Sequence, residues 1–352
     1  MQLLLLCVTL GIWSQSLSAS DPITIDALSE ALRSSEVSTR RAAALKMGQV
    51  RANSDEALEA LGRATQDEDL IVASRAIKSL SYGFRNRDRQ LEILLDVMKA
   101  DNATVRIAAL ETLSRWNRPA ERLLPVYLKA IKENNAGIKS HAARGIARLD
   151  LRKFPNAKAQ ILVAMEPLVQ SEDENLQLAG ASVLGYHQLD ADKALPVLIK
   201  LLGGPDRQTR REALTAIERF GDLGKPAIEA LLQHMESGDD HHRRTVGRSI
   251  LRIDPENGVS LLSEVLKKSR SQHARAAAVE GLATLLDSED AYRSLVMALK
   301  DRSGNVRYYA CMALRNFKKL DEEAVSNLRD VIQRDRSSIV RSTAKGTLEI
   351  FQ

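Results

Sequence analysis

One short pattern recurs at nearly constant intervals along this chain and constrains its fold more than any other feature. In its clearest copy Val105 precedes Arg106, and a small residue (Ala109) and a large aliphatic residue (Leu113) follow that Arg by three and seven positions. The central positions of the copies are Arg40, Ala73, Arg106, Lys139, Gln177, Arg210, Arg243, Arg275, Arg307 and Arg341. The steps between them are nearly equal, and so regular a period predicts an array of structural repeats.

Each period contains two apolar segments with helical spacing. Leu91, Leu94, Leu95 and Met98 illustrate the first segment, and the pattern around the central position is the second. The short links between them are rich in Asp, Asn, Ser and Gly, which cap and terminate helices. Ten periods therefore predict about twenty helices stacked as antiparallel pairs. Because each repeat buries its apolar face against its neighbours, 352 residues need not form two domains.

The repeat pattern resembles that of HEAT-repeat proteins, of the short kind also called phycobilisome-lyase-like. The matching residues are an Asp in the inter-helix turn before an apolar–Arg pair and a Pro in the first helix: Asp301 with Val306–Arg307, Asp335 with Val340–Arg341, Pro125 and Pro196. Ala73 and Gln177 depart from the pattern because they lack the cation. The resemblance covers residues 25–352 and implies an all-α fold: an α-solenoid (α-α superhelix) of about ten stacked two-helix HEAT-like repeats.

The Asp–Arg pairs of this pattern are expected to be structural. A helical projection places the central Arg near the same face as the small and aliphatic positions, so its guanidinium is half-buried and needs an acceptor. An Asp in the turn of its own or the neighbouring repeat supplies that acceptor. We therefore expect the pairs to form a ladder that joins stacked repeats.

The first twenty residues are typical of a secretory signal peptide. Residues 3–13 are apolar but too few to span a bilayer, which takes about 20 residues. Ser18 and Ser20 suit a cleavage site before Asp21. The sequence therefore predicts a signal peptide over 1–20, a repeat array over 21–352, and a secreted or periplasmic protein without a membrane span. Because no Lys or Arg precedes the apolar run, a retained apolar helix that caps the array or anchors it is the alternative.

Residues that carry catalytic chemistry do not form a known motif in this sequence. It contains no phosphate-binding glycine loop, GxSxG, HExxH or CxxC, so we expect neither an enzyme nor a bound cofactor. Cys311 lies beside the small position of its repeat and is expected to be a buried, inert thiol. His241 and His273 occupy equivalent places in adjacent repeats and, with Asp239 or Asp240, offer a metal site. A polar turn with capping Asp residues is the favoured alternative, and no metal is expected.

Cations recur at exposed positions of the second helices. Positions two, five and nine residues after the central residue are projected away from the buried face, and in repeats two to seven they hold eight cations and two acids. We name the candidate partner-binding residues the basic stripe: Arg75, Lys78, Tyr82, Arg115, Arg144, Arg148, Tyr186, Arg219, Arg248 and Arg252. A solvated face is the alternative interpretation. The regular placement and the interleaved Tyr residues favour a groove for an extended anionic partner.

The longest step, from Lys139 to Gln177, marks an insertion centred on residues 151–158. This segment is basic and is either a longer surface loop or a lip beside the groove. Together these features predict an exported, monomeric, non-catalytic scaffold that binds a protein through an acidic segment, or an anionic glycan, along its inner helical surface. A lyase- or isomerase-like protein and a nucleic-acid-binding HEAT-like protein are the alternatives, and export argues against both, so no nucleic acid is expected.

The signal peptide is directly testable. When the whole chain is expressed in a secreting host, we expect the exported protein to begin at Asp21, as measured by N-terminal sequencing and intact mass. An exported or cell-retained protein that still begins at Met1 would contradict this and revive the intracellular alternatives.

Overall fold

The chain is helical throughout the part that the structure describes. The computed structural model describes residues 24–50, 54–82, 84–116, 119–154, 156–237 and 240–351, without the side chains of 237 and 240–244. The predicted signal peptide, residues 1–20, lies outside the described residues. Within them are twenty α-helices and two short 3-10 helices, which confirms the predicted all-α class. None of these helices is long and apolar enough to cross a membrane.

Residues up to Ala157 form one compact unit, which contains four helix pairs. Its helices are α1 (Ile25–Ala31), α2 (Val37–Gln49), α3 (Asp55–Ala64), α4 (Leu70–Ser79), α5 (Arg87–Val97), α6 (Ala103–Leu113), α7 (Ala120–Ile131) and α8 (Ala136–Arg148). The two helices of each pair pack together. The second helices α2, α4, α6 and α8 also pack each against the next, which is the stacking that the repeat period predicts.

Residues from Lys158 to Gln352 form the other compact unit. Its helices are α9 (Ala157–Val169), α10 (Glu174–Tyr186), α11 (Ala191–Leu202), α12 (Arg207–Arg219), α13 (Ile228–Ser237), α14 (Asp240–Ile253), α15 (Gly258–Lys268), α16 (Gln272–Leu282), α17 (Glu289–Ala298), α18 (Gly304–Leu314), α19 (Glu322–Arg334) and α20 (Ser338–Leu348). The 3-10 helices are Gly221–Ala227 and Glu349–Phe351. The second helices, from α10 to α20, again pack each against the next.

The division between the two units falls at the insertion that the sequence marked. Residues 151–154 form turns and α9 begins at Ala157. Arg152 and Lys153 are exposed, as expected of a surface loop. Arg152 donates hydrogen bonds to the carboxylate of Asp150 at 2.8 and 2.7 Å, so one cation of the insertion is already paired locally. A single array over 21–352 and a lip beside a groove both stay predictions.

The polar links begin the helices as the sequence predicted. Asp69, for example, precedes α4 and accepts a hydrogen bond at 3.0 Å from the backbone N–H of Val72, a donor with no partner inside the helix. The residues that cap helices in this way are Thr24, Ser54, Asp69, Asn86, Asn102, Asn135, Asp173, Asp206, Ser271, Ser288, Asp321 and Ser337. These links therefore set the helix starts.

The apolar positions of the repeat pattern form the core. Ala109 and Leu113 are fully buried on α6, and Ala310 and Leu314 are fully buried on α18. Cys311 is also fully buried, and that burial raises the pKa of its thiol to about 12. The predicted inert thiol is therefore confirmed, because the thiol stays protonated at neutral pH.

The central Arg residues join neighbouring repeats. Arg275 on α16 is 3% exposed and donates two hydrogen bonds to the carboxylate of Asp301 in the next repeat, at 2.7 and 2.8 Å. The same guanidinium donates to the carbonyl oxygens of Ser269 and Arg270 in its own repeat, at 3.0 and 3.2 Å. The same cross-repeat ion pair is formed by Arg40–Asp67, Arg106–Glu133 and Arg307–Asp335. The predicted ladder is present in these four described pairs, and in each of them the carboxylate comes from the following repeat.

We expect Asp301→Asn to destabilise the unit from Lys158 onward by about 3 kcal/mol, because it leaves a buried guanidinium without its counter-charge. The amide oxygen of Asn can still accept the hydrogen bond that Asp301 takes from the Ser303 N–H, so the change isolates the ion pair. The measurement is the midpoint of urea unfolding followed by circular dichroism. The control is Asp330→Asn, which breaks the exposed ion pair with Arg334 and should cost at most about 1 kcal/mol. Equal losses in the two variants would contradict a structural role for the ladder.

The ladder also predicts a loss of stability in acid. The Asp335 carboxylate is 1% exposed, and hydrogen bonds from the Arg307 guanidinium hold its pKa below the ordinary value. Because the folded pKa lies below that of an unfolded Asp, about 3.9, the stabilisation is complete above that value and is lost as the pH falls through the folded pKa.

The measurement of this effect is the urea midpoint at several pH values from 7 down to 2. We expect the native chain to lose more stability than Asp335→Asn as the pH falls below about 4, because the variant has no carboxylate to protonate there. Parallel pH profiles for the two proteins would contradict the assignment.

Candidate functional site

The basic stripe is exposed in both units at the C-terminal ends of the second helices. The residues nine positions after the central residue are all exposed: Tyr82, Arg115 and Arg148 in the first unit, and Tyr186, Arg219 and Arg252 in the second. Each lies at or just beyond the C-terminal end of a second helix. The sequence-based expectation of exposure is therefore confirmed at this position. Whether these residues bind a partner stays a prediction.

The position two residues after the central residue is different, and here the helical projection was wrong for Arg75, Ala108 and Ala179. Arg75 is half-buried and donates a hydrogen bond at 2.8 Å to the carbonyl oxygen of Arg41 in the preceding repeat. Ala108 and Ala179 occupy the same position and are 5% and 6% exposed. In these three repeats the position packs between adjacent second helices, which a projection of a single helix does not represent, whereas Thr245 at the same position is exposed. Arg75 therefore has a structural contact of its own.

In the first unit the stripe contains both engaged and unengaged cations. Lys78 is exposed, and its ammonium has no ion-pair partner among the described residues. Arg115 pairs with Glu111 one turn earlier at 3.4 Å, an exposed pair that contributes little energy. Arg148 donates to the carbonyl oxygen of Ser114 at 3.4 Å. Arg144 lies one turn before Arg148 on α8 and is exposed.

In the second unit the ends of α10 and α12 bring a Tyr and an Arg together. The guanidinium carbon of Arg219 lies 4.8 Å from the centroid of the Tyr186 ring, which is a cation–π stack. Gly185 permits this approach, since a Cβ there would lie 2.6 Å from the carbonyl oxygen of Ala216. The backbones of α10 and α12 therefore approach each other closely at Gly185, the residue before Tyr186.

One acidic residue lies within this part of the stripe and was not predicted. The Glu218 side chain is 21% exposed; its carboxylate accepts hydrogen bonds from Arg252 and, at 3.2 Å, from the Ser249 hydroxyl. The hydrogen bond to Glu218 raises the pKa of the Arg252 guanidinium. Glu218 and Arg252 are separated in the sequence by slightly more than one repeat period. That spacing, which suits a contact between neighbouring repeats, was the only sign of the pair in the sequence. Glu218 therefore neutralises part of the charge of Arg252.

Two guanidinium groups of the second unit have N–H groups that donate no hydrogen bond to any described residue. Arg219 stacks on Tyr186, and its guanidinium makes no hydrogen bond within the described part of the chain. Arg248 lies one turn before Arg252 on α14, is exposed, and likewise has no described side-chain partner. Arginine presents several coplanar N–H donors that match a carboxylate, so these two residues are available to bind one.

The alternative metal site cannot be placed. Asp239 and the side chains of Asp240, His241 and His242 lie outside the described part of the chain. His273 is half-buried on α16. Among the residues that are described, no group of three His, Cys, Asp or Glu side chains is arranged to hold a metal ion.

Several solved structures are similar to this chain. Importin β in an ammonium sulfate condition is 15% identical with a TM-score of 0.58, over 93% of this chain and 50% of that chain. Kap121p bound to Pho4p is 12% identical with a TM-score of 0.58, over 93% of this chain and 41% of that chain. The complex of CpcE and CpcF of phycocyanin lyase from Nostoc sp. is 18% identical, with a TM-score of 0.45 over 76% of this chain and 97% of that chain. No curated protein matches this chain.

The family comparison agrees with the stacked helix pairs. The model of the family described as HEAT repeats matches residues 25–114, 161–252 and 259–349, which together are well over half of the chain. These three matches fall on the helix pairs of both compact units. The chain belongs to the HEAT-repeat family, and its fold is an all-α solenoid.

Proposed function

We propose that this protein is an exported, non-catalytic scaffold that binds an extended acidic segment of another protein along the basic stripe. The observation that carries the proposal is the exposure of four Arg and two Tyr residues at one equivalent position of six repeats. Residues at equivalent positions of stacked helices lie about 8–10 Å apart. Within each unit their potentials therefore add along a line, which favours an extended anion over a compact one.

The chemistry of the stripe supports binding. Its described side chains are Arg, Lys and Tyr, which donate hydrogen bonds to anions. The Cys311 thiol is buried with its pKa raised to about 12, so it is unsuited to act as a nucleophile. A binding surface without a reaction is the simplest use of these groups.

The kind of partner is suggested by the fold and the export signal. Kap121p, which shares the fold at low identity, has been seen bound to the protein Pho4p. We therefore favour a protein partner over a nucleic acid, and an anionic glycan becomes an outcome of the test. Export rests on the signal peptide predicted over residues 1–20, which also makes an intracellular lyase-like role less suitable. We propose that the scaffold acts as a monomer without a membrane span.

We expect reversal of four stripe charges to abolish partner binding. The variant changes Arg144, Arg148, Arg219 and Arg248 to Glu; all four are exposed, and Arg252 is spared because it pairs with Glu218. Exposed ion pairs contribute up to about 1 kcal/mol each, so the loss of four should weaken binding by up to about 1,000-fold. The measurement is the affinity of the mature chain for an acidic protein captured from the extracellular fraction of its host.

A variant with the same charge change serves as control. Lys129, Lys200, Lys267 and Arg329 are exposed on the first helices α7, α11, α15 and α19, and reversing them should leave the affinity nearly unchanged. Native binding should also weaken as salt rises from about 0.05 to 0.5 M, since exposed charges are screened. If both quadruple variants bind equally well, or if capture recovers only an anionic glycan, the protein-scaffold proposal is wrong.

A further inference from the structure

The Tyr186–Arg219 stack presents an Arg that is already oriented. The ring centroid lies 4.8 Å from the guanidinium carbon. No described residue takes a hydrogen bond from this guanidinium, so its coplanar N–H groups can form two parallel hydrogen bonds with a carboxylate. A side chain held in this way loses less rotamer freedom on binding than a free Arg.

A second cationic site lies one repeat further along the same surface. Arg252 occupies on α14 the position that Arg219 occupies on α12, and these helices pack together. The Arg252 side chain is 69% exposed, and Glu218 engages one of its terminal nitrogens. Arg248, one turn away, adds an unengaged guanidinium beside it. Packed helices are about 8–10 Å apart, so two carboxylates of a ligand would have to be separated by about that distance.

This spacing selects one conformation of an extended peptide. In a polyproline II helix, residues i and i+3 lie on the same side and are separated by three rises of about 3.1 Å, or roughly 9 Å. In a β-strand, side chains on one face are two residues apart, about 6.6 Å, or four apart, about 13 Å. Only the polyproline II spacing matches the distance between neighbouring second helices. The exposed Tyr186 ring is also the kind of surface that proline-rich segments contact.

We infer that the surface formed by Tyr186, Arg219, Arg248 and Arg252 binds a peptide in the polyproline II conformation with an acidic residue at every third position. This inference rests on the proposed function and narrows it to one kind of segment. One carboxylate pairs with the free edge of Arg219, and the next pairs with Arg248 and the outward side of Arg252. Proline or another apolar residue between them packs on the Tyr186 ring.

The test uses two labelled peptides with the same composition and charge. One repeats Glu-Pro-Ala four times, and the other places its four Glu residues together ahead of four Pro-Ala pairs. We expect the mature chain to bind the periodic peptide at least about tenfold more tightly, as measured by fluorescence anisotropy. Arg219→Lys keeps the charge but removes the planar guanidinium that can form two parallel hydrogen bonds. It should therefore lower the affinity for the periodic peptide about tenfold and the affinity for the clustered peptide far less.

Arg329→Lys on α19 is the matched control, since Arg329 is exposed on a first helix and should not affect either peptide. Arg248→Ala should also weaken the periodic peptide. Equal affinity for the two peptides, no binding of either, or equal effects of Arg219→Lys and Arg329→Lys would overturn the inference. In those cases the proposed function would still hold if the four-charge reversal weakened binding of the captured protein. If the reversal left that binding unchanged, both the inference and the proposed function would be wrong. Binding of heparin, without binding of the periodic peptide and without a response of the captured protein to the four-charge reversal, would overturn both.

Discussion

The buried or half-buried guanidinium of the central Arg in four described repeats is the constraint on which their stacking depends. Arg275 illustrates it, because its own turn satisfies only part of its donors and the carboxylate of Asp301 in the next repeat completes the set. A buried charge without its counter-ion is strongly unfavourable. The repeat that contains Arg275 therefore depends on the carboxylate of the next repeat for its stability. The apolar faces have the same effect, because within each unit the second helices pack against one another and so cover each other's apolar residues. Stability is therefore shared between adjacent repeats.

This ladder also explains why a surface feature can recur so regularly. Where its four pairs form, it joins repeats one period apart and fixes the register of one second helix against the next. Stacking of the second helices places equivalent residues on neighbouring helices, as it does Arg219 and Arg252 on α12 and α14. Small residues adjust the contact locally: Gly185 lets α10 approach the Ala216 carbonyl oxygen and so seats Tyr186 against Arg219. Gly185 thus positions two residues of the basic stripe without belonging to it.

The sequence predicted those features that one repeat determines by itself. The burial of Ala109 and Leu113, the capping residues and the number of helices all follow from local periodicity and local hydrogen bonding. It failed where a second repeat contributes. Arg75 was projected outward, yet it reaches the Arg41 carbonyl oxygen of the preceding repeat. Glu218 was overlooked because its partner Arg252 lies on the second helix of the next repeat, about which a single-helix projection contains no information.

The pairing of Glu218 with Arg252 bears on how such a surface distinguishes between anions. The formal net charge of the whole chain is only +5, and one acid within the stripe reduces the local potential further. Unspecific attraction of every polyanion is therefore weak, and it falls quickly with salt. Affinity must then come from simultaneous contacts whose spacing fits the repeat. Because packed helices set that spacing at about 8–10 Å, the backbone of the array, more than its total charge, determines which extended anion fits.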